Sequence, residues 1–134
     1  MNIVREEADK FVKWIRIKIR THFSEKYFIV KEKQIWWASI GQNVGIEQNG
    51  KNDNFERPIL IFKKFNNEQF WILPISSKVK ISKYYYGFKR RDKDYSISLS
   101  QLRVMSRKRL LRYLDDIGEV DFAKIKESVR QIIH

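Results

Sequence analysis

The segment ERPILIF, from Glu56 to Phe62, places an arginine directly before a proline at the start of an apolar run. Arg57 carries a permanent charge and a planar fork of donors that suits two oxygens of a phosphate group. Pro58 restricts the residue before it to extended conformations, so the guanidinium is held in one direction. Because burying an arginine is costly without a partner, two interpretations stand: a structural ion pair with Glu56 or Glu47, or a cation kept for a ligand.

A pair of hydroxyl groups ends the next apolar run, WILPISSK, which extends from Trp71 to Lys78. Ser76 could donate to a charged oxygen, as the donors of an oxyanion hole do. If the strand continues, Ser76 and Ser77 point to opposite faces, so that only one of them would face a ligand. Serines at the ends of strands are also ordinary turn residues, and that alternative stays open.

The loop GIEQNG, from Gly45 to Gly50, precedes the Arg57 segment and contains Glu47 and Gln48. Glu47 could act as a general base or orient Arg57, and Gln48 could form a hydrogen bond with a base or a phosphate. The alternative is that both side chains fix the loop through hydrogen bonds to its backbone.

Positive charge is concentrated in one part of the chain. The net charge is +12, and the segment 78–112 contains twelve Lys or Arg residues against two acids. Aromatic residues are interleaved with these cations, a pattern typical of single-stranded nucleic-acid binding, in which cations contact phosphates and rings stack on bases. The alternative is a solvated loop that keeps the protein soluble. The candidate contacts in this region are Lys78, Lys80, Tyr84 and Arg103.

Several classes of site are disfavoured. The sequence has no cysteine, which excludes disulfides, zinc–thiolate sites and thiol nucleophiles. Its two histidines, His22 and His134, stand near no acidic cluster, so we expect neither a metal nor another cofactor. Five cations interrupt the apolar residues of the N-terminus, and no apolar run is long enough to span a bilayer. We therefore expect a cytoplasmic protein with no membrane partner.

Apolar periodicity predicts a helix over residues 3–23, with one face formed by Val4, Ala8, Phe11, Ile15 and Ile19. We expect this face to pack on the helix's own domain, although a basic amphipathic helix could also bind a membrane or RNA. A second helix is predicted over Asp121–Ile133, with Asp121 as its N-cap.

The region between the helices predicts several short strands. The predicted strands are Tyr27–Val30, Glu32–Gly41, Pro58–Lys64, Phe70–Ile75, Tyr95–Leu99 and Gln101–Met105. We expect a loop at Asn43–Glu56, a mobile loop over KYYYGFKRRDKDY, and a turn of helix with a basic patch in SRKRLLRYL. The predicted fold class is α+β, a small and partly open barrel over residues 26–134 with an N-terminal helical extension over residues 1–25 and a C-terminal helix.

Four of these motifs occur in the order found in a known family. The strand IWW, the loop GIEQ, the pair Arg57–Pro58 before an apolar strand, and the ending PISS together resemble the MazF/PemK family of toxin ribonucleases from type II toxin–antitoxin systems. The C-terminal part, with a strand, a Lys/Arg–Leu element and a closing helix, is similar as well. The resemblance covers about residues 31–133, and residues 1–25 lie outside it.

The resemblance implies an SH3-like barrel, a homodimer, and a metal-independent endoribonuclease that cleaves single-stranded RNA and causes growth arrest. In such a reaction the RNA 2′-hydroxyl attacks the adjacent phosphorus and leaves 2′,3′-cyclic phosphate and 5′-hydroxyl ends. The catalytic residues would be Arg57, Ser76 and Glu47, with Gln48, Ser77, Lys78, Lys80, Tyr84 and Arg103 binding substrate. The partners implied are RNA and a cognate antitoxin protein whose flexible tail occupies the RNA channel.

The sequence also departs from the family pattern. The loop before Arg57 contains the extra residues KNDNFE, serines stand at positions 98 and 100 where some members have arginine and aspartate, and no histidine lies near Ile46. Proton transfer is therefore left to Arg57, Glu47 or Glu56, a tyrosine, or water. These departures favour an alternative, a non-catalytic nucleic-acid-binding barrel derived from a toxin. A protein-binding toxin of the gyrase-poison kind is a third possibility.

Overall fold

The computed structural model describes residues 2–134 and shows seven antiparallel strands between two helices. The elements are α1 (Asn2–His22), β1 (Gln34–Ser39), β2 (Glu56–Lys64), β3 (Gln69–Ser76), β4 (Tyr85–Arg90), β5 (Lys93–Ser98), β6 (Arg103–Ser106), β7 (Leu110–Asp116) and α2 (Glu119–Ile133). Short 3₁₀ turns at Leu99–Gln101 and Arg107–Arg109 flank β6. The predicted α+β class is confirmed. Neither helix in residues 2–134 has an apolar stretch of the length that crossing a bilayer requires.

The strands form one sheet in the order β4-β5-β3-β2-β1-β7, and β6 pairs with β3 beside this path. One edge of β3 is shared, because β6 pairs with Gln69–Ile72 and β5 pairs with Ile75 and Ser76. Within residues 2–134, the two end strands of this order, β4 and β7, do not pair with each other. The sheet is therefore open, and the SH3-like barrel stays a prediction.

Both faces of the central strand β2 are buried. Ile59 and Ile61 pack into one apolar cluster with residues of β1, β3, β6 and β7, and Leu60 packs into a second cluster on the other face. The second cluster includes three residues of α2, namely Phe122, Ile125 and Val129. This double burial explains the uninterrupted apolar run after Pro58. It also makes β2 a rigid support for the arginine at its start.

Two segments differ from the sequence-based expectation. The expected mobile loop is largely the β4–β5 hairpin, whose turn residues Arg91 and Asp92 adopt positive φ angles of 51° and 60°, as a two-residue hairpin turn requires. Tyr86, Phe88 and Tyr95 pack against the cluster that contains the α2 residues. The hairpin is therefore held by aromatic side chains that stand between charged residues in the sequence. The predicted helical turn after Ser106 is present at Arg107–Arg109, but the chain then continues as β7 beside β1.

Two further expectations were wrong. Tyr27–Val30 forms no strand: Tyr27 and Ile29 are exposed, and only Val30 is fully buried there. Asp121 is not the N-cap of α2, because that position is held by Gly118. The Asp121 carboxylate instead accepts a hydrogen bond from the Tyr86 hydroxyl, which ties α2 to β4.

The N-terminal helix is confirmed, but it docks by a different side from the one expected. Only Trp14 is buried on α1, and its ring packs on Gly41 and Phe55. Gly41 has φ of 101°, and a Cβ there would lie 2.5 Å from the Trp14 ring. The expected packing face is exposed to solvent, with Val4 71%, Phe11 37%, Ile15 54% and Ile19 55% accessible. The apolar contacts of α1 are therefore made by Trp14 rather than by its apolar stripe, and the His22 carbonyl at its end accepts a hydrogen bond from Lys108 Nζ at 2.6 Å.

The Tyr86–Asp121 contact predicts a pH-dependent contribution to stability. Burial, together with the hydrogen bond and negative charge of Asp121, raises the pKa of Tyr86 from 10.0 to about 12. The stabilising contribution is complete below pH 10, and it is lost as the pH rises towards 12. We expect Tyr86→Phe to lower the free energy of unfolding by about 0.5–1 kcal/mol at pH 7, with the difference from the wild type shrinking as the pH rises above 10.

Urea denaturation at a series of pH values measures this difference. The matched control is Tyr27→Phe, which removes the hydroxyl of an exposed residue. Its free energy of unfolding should equal that of the wild type at every pH. A constant difference between Tyr86→Phe and the wild type from pH 8 to pH 12 would contradict the predicted linkage.

Candidate active site

Arg57 stands at the start of β2, opposite Ala38 of β1, with Pro58 opposite Trp37. Its side chain lies in the interior and is 8% exposed as a residue. Ile59, Leu60 and Ile61, which follow it on β2, are fully buried, so the core fixes the strand that carries the arginine. The local sequence thus fixes both the backbone and the direction of the guanidinium.

The guanidinium is held by neutral oxygens. Nε donates to the carbonyl of Asn49 at 2.8 Å, and Nη1 donates to the carbonyl of Ile75 at 3.4 Å. With the Gln48 amide oriented so that its oxygen faces the arginine, that oxygen accepts from Nη2 at 3.0 Å and from Nε at 3.2 Å. Burial lowers the pKa of Arg57, although an arginine side chain stays protonated in proteins.

Neither of the two expected acids pairs with Arg57. Glu56 accepts from Arg112 Nη1 at 2.8 Å, and Glu47 accepts from the Val44 backbone N–H at 3.0 Å. Among residues 2–134 no carboxylate forms an ion pair with the Arg57 guanidinium. The structural ion pair considered in the sequence analysis is therefore not formed, and the charge of Arg57 is not neutralised by the described residues.

Arg57 faces a pocket of about 160 Å³, which we call the Arg57 pocket. Five of its lining residues are ones that the sequence singled out: Arg57, Gln48, Ser76, Lys78 and Lys80. Four more complete the wall, namely Lys51, Tyr85, Ser96 and Ser98. No carboxylate and no imidazole is among the lining residues, so the pocket combines cations with hydroxyl groups.

The hydroxyl groups on β3 and β5 stand side by side, because Ser76 pairs in register with Ser96. Ser76 Oγ accepts from the Lys78 backbone N–H at 3.1 Å, and the fully buried Ser96 donates to the Lys78 carbonyl at 2.6 Å. Both backbone groups of Lys78, its N–H and its carbonyl, are thus hydrogen-bonded to serine side chains. The hydroxyl hydrogen of Ser76 has no acceptor within residues 2–134 and can donate to a ligand.

A second pocket of about 290 Å³ lies on the other side of Arg57. Ser77 lines this adjoining pocket and Ser76 does not, which agrees with the alternation of side chains along β3. Glu56 also lines it, together with the cations Arg90 and Lys93 of the β4–β5 hairpin. Arg57 therefore borders two adjoining depressions, of which only the second contains a carboxylate.

Besides Ser77, the structure separates three of the predicted site residues from the Arg57 pocket. Glu47 and Arg103 line a different pocket, where burial lowers the pKa of Arg103 and the charge of Glu47 opposes that shift. Gln48 borders both this pocket and the Arg57 pocket. Tyr84 lies outside all three, with its ring 5.1 Å from Lys83 Nζ.

Sequence reasoning missed four residues of the Arg57 pocket. Ser96 and Ser98 could have been found from the alternation in YSISLS, which puts them on one face of a strand. Tyr85 was assigned to a loop, and Lys51 stands in a Gly- and Asn-rich segment with no periodicity. Their positions depend on the pairing of β5 with β3 and on the path of a long loop, which local patterns do not reveal.

The arrangement can bind a phosphodiester and stabilise negative charge on it. Permanent cations and hydroxyl donors that are already oriented cost no reorganisation when charge develops on a ligand. Besides the lysines, the lining groups able to exchange a proton are Tyr85 in the Arg57 pocket, and Glu56 and Tyr95 in the adjoining pocket. Among residues 2–134, no three His, Asp or Glu side chains come together as a metal ion would require.

Comparison with known families gives one match. Residues 31–133 match the family described as PemK-like, MazF-like toxin of type II toxin–antitoxin systems. The match includes Arg57, Ser76 and the whole sheet, whereas α1 lies outside it. No curated protein sequence matches this chain.

Solved structures share the fold. MazF from Deinococcus radiodurans is 14% identical with a TM-score of 0.64, and the alignment covers 79% of this chain and 97% of that one. MazE–MazF from the same organism is 10% identical with a TM-score of 0.60, covering 79% and 96%. A mycobacterial endoribonuclease in complex with its cognate antitoxin is 11% identical with a TM-score of 0.58, covering 78% and 94%.

The partners of Arg57 predict the effect of a charge-conserving substitution. In Arg57→Lys the ammonium cannot reach the acceptors on Gln48, Asn49 and Ile75 together. We expect the free energy of unfolding to fall by about 1–2 kcal/mol and the amides of residues 42–50 to exchange faster with solvent. Urea denaturation and hydrogen-exchange mass spectrometry measure the two effects.

Arg130→Lys is the matched control, since Arg130 contacts Glu127 at the surface and its replacement should cost less than about 1 kcal/mol. Unchanged exchange of the 42–50 amides in Arg57→Lys would show that the guanidinium does not hold this loop.

Proposed function

The chain belongs to the family of PemK-like, MazF-like toxins of type II toxin–antitoxin systems, and we propose that it is an endoribonuclease that cleaves single-stranded RNA without a metal ion. One observation carries the proposal: Arg57 is buried, its charge is unpaired by the described residues, and it borders an open pocket with Ser76 and three lysines. A phosphodiester of RNA would supply the missing negative charge.

In the proposed reaction the RNA 2′-oxygen attacks the adjacent phosphorus while the bond from phosphorus to the 5′-oxygen breaks. The 2′-hydroxyl loses a proton, the departing 5′-oxygen gains one, and the products are a 2′,3′-cyclic phosphate and a 5′-hydroxyl. Arg57 would bind the non-bridging oxygens and stabilise their growing charge. Ser76, with its free hydroxyl hydrogen, would donate to one of the same oxygens.

The groups that exchange protons with the RNA are proposed from the pockets that they line. Tyr85 lines the Arg57 pocket with Ser76, and Glu56 lines the adjoining pocket with Ser77. Glu47 was the first candidate from the family resemblance, but its carboxylate accepts from Val44 and it lies with Arg103 in another pocket. We therefore propose Tyr85 and Glu56 as the groups that exchange protons with the RNA, and a positioning role for the Glu47 loop.

Substrate binding would extend beyond the scissile phosphate. Lys78 and Lys80 line the Arg57 pocket and would contact the phosphates on either side. Gln48 joins this pocket to the one that contains Arg103, so Arg103 would contact a nucleotide farther along the RNA. Tyr84, beside the β4–β5 hairpin, offers a ring for stacking.

The partners are proposed from the family. One of the structural neighbours is an endoribonuclease in complex with its cognate antitoxin, and another is a MazE–MazF structure. We propose that this toxin likewise has a cognate antitoxin, that it forms a homodimer through an SH3-like barrel, and that it arrests growth by cleaving messenger RNA in the cytoplasm.

One observation favours a second candidate. Since no carboxylate or imidazole lines the Arg57 pocket, the protein could bind RNA without cleaving it. The two functions differ in one measurable property, the appearance of new RNA ends in the presence of EDTA.

The first test is the substitution Arg57→Ala. We expect the wild type to cleave RNA in EDTA with cyclic-phosphate ends, and Arg57→Ala to lose about 10³-fold or more in rate, because the main stabiliser of phosphoryl charge is removed. The folded state of the variant is checked by circular dichroism. Arg130→Ala is the control for loss of an arginine, because Arg130 pairs with Glu127 on α2 and lines neither pocket that Arg57 borders. Cleavage by Arg57→Ala at the wild-type rate would remove the guanidinium from the chemistry.

The two adjacent serines provide an internally matched pair. We expect Ser76→Ala to slow cleavage by roughly 10²- to 10³-fold, as loss of one oriented donor typically does, with little change in RNA affinity. Ser77→Ala should reduce the rate less than tenfold, because its side chain faces the adjoining pocket. Single-turnover cleavage separates the chemical step from binding, and equal effects of the two substitutions would contradict the assigned roles.

A further inference from the structure

A third depression, which we call the α1 groove, lies between α1 and the loop before β2, with a volume of about 610 Å³. One wall is the helix and the other is the segment 42–55. Five of the residues that line the α1 groove are cations, namely Lys10, Lys13, Arg16, Arg20 and Lys51, and one, Asp53, is an acid. The groove is therefore strongly electropositive.

The docking of α1 through Trp14 explains why these cations line the groove. With 3.6 residues per turn, Lys10, Lys13 and Arg20 lie on the side of the helix next to Trp14. When the Trp14 ring packs on Gly41 and Phe55, this basic side is brought opposite the loop. The row from position 10 to position 20 is about 15 Å long, which is long enough for several phosphates of one strand.

The cations of the groove have no partners in the described structure. Lys10, Lys13, Arg16 and Arg20 form no ion pair and no side-chain hydrogen bond among residues 2–134. Glu6 and Asp9 lie one turn before Lys10 and Lys13, but they do not pair with them. Like charges at a spacing of three or four residues destabilise a helix, so this row does not stabilise α1. It is suited to an external polyanion.

The α1 groove is continuous with the Arg57 site. Lys51 lines the groove, the Arg57 pocket and the adjoining pocket. Asn52 lines the groove and the adjoining pocket. A strand bound with a phosphate at Arg57 can therefore pass Lys51 and continue along the cations of α1.

We infer that α1 extends the RNA-binding surface, and that its basic groove contacts the sugar–phosphate backbone of single-stranded RNA several nucleotides away from the Arg57 pocket. This inference rests on the proposed function only in taking the ligand of the Arg57 pocket to be RNA. The contact is with phosphates, so it raises affinity for long RNA irrespective of base sequence. It also gives the helix outside the family match a defined role.

The test compares two double charge reversals in the full chain. The groove variant carries Lys13→Glu and Arg16→Glu. The control variant carries Lys18→Glu and Lys124→Glu, which change the net charge equally at exposed positions that do not line the groove. The probes are 2′-O-methylated random-sequence RNAs of about 6 and about 20 nucleotides, which cannot be cleaved. Fluorescence anisotropy measures their binding over a series of salt concentrations.

For the longer probe we expect the groove variant to bind roughly tenfold more weakly than the wild type. The slope of log K against log salt should be shallower by about 1.4, the value for two lost phosphate contacts on a single strand. For the short probe the two proteins should agree within about twofold, and the control variant should match the wild type with both probes. Equal loss with both lengths, or the same loss in the control variant, would overturn the inference.

Two further measurements, of RNA cleavage and of vesicle binding, distinguish this inference from the proposed nuclease function and from a membrane contact. If the wild type cleaves RNA while the groove variant binds the longer probe normally, the inference fails and the proposed function stands. If the wild type cleaves no RNA but the length-dependent loss is observed, the proposed nuclease fails and the groove assignment stands. If only binding to anionic phosphatidylglycerol vesicles, and not to RNA, depends on Lys13 and Arg16, the groove is a membrane contact and the inference is overturned.

Discussion

An arginine buried without a counter-ion is the constraint on which the site depends. Taking a charge out of water costs several kcal/mol unless it is compensated. The carbonyls of Asn49 and Ile75 accept from Nε and Nη1 of Arg57 without cancelling its charge, and part of the donor capacity of the guanidinium is left for a ligand. The adjacent acid, Glu56, is held by Arg112 instead. The positive potential is therefore directed into the pocket, where an anionic ligand would stabilise the protein and be stabilised by it.

The loop before β2 contacts both the Arg57 guanidinium and α1, and so links the site to the rest of the molecule. It provides both Asn49 and Gln48 to the guanidinium, and its backbone is closed by the Gly50 N–H bond to Gly41 at 2.8 Å. A side chain at Gly50 would collide with the Phe55 carbonyl, so the tight closure requires glycine. Trp14 of α1 packs on the other side of the same closure, at Gly41 and Phe55. The helix outside the family match thus supports the loop that positions Arg57.

The sequence predicted the elements whose signal is local. The periodicity of α1 and α2, the apolar runs of β2 and β3, and the Arg57–Pro58 pair all depend on neighbouring residues, and these elements were located correctly. The missed elements depend on distant partners: β7 becomes a strand by pairing with β1, and charged residues concealed the alternating aromatics of β4. Most of β5, in contrast, lies within the predicted strand Tyr95–Leu99. The docking side of α1 was mispredicted for the same reason. An apolar stripe shows where a helix is hydrophobic, but the surface formed by Gly41 and Phe55 exists only after the loop folds.

The Arg57 pocket has no carboxylate or imidazole among its lining residues, and its composition indicates how the proposed cleavage could proceed without a dedicated general base. A general base contributes typically 10²- to 10⁴-fold, whereas oriented cations and donors lower the energy of every oxygen that gains charge, including the attacking 2′-oxygen. Lys51, Lys78 and Lys80 stand with Arg57 around one small volume, so the pKa of a 2′-hydroxyl bound there would be lowered by four cations together. A weak acceptor such as Tyr85 or water then suffices. In this protein the electrostatic contribution would therefore replace much of what a dedicated base supplies.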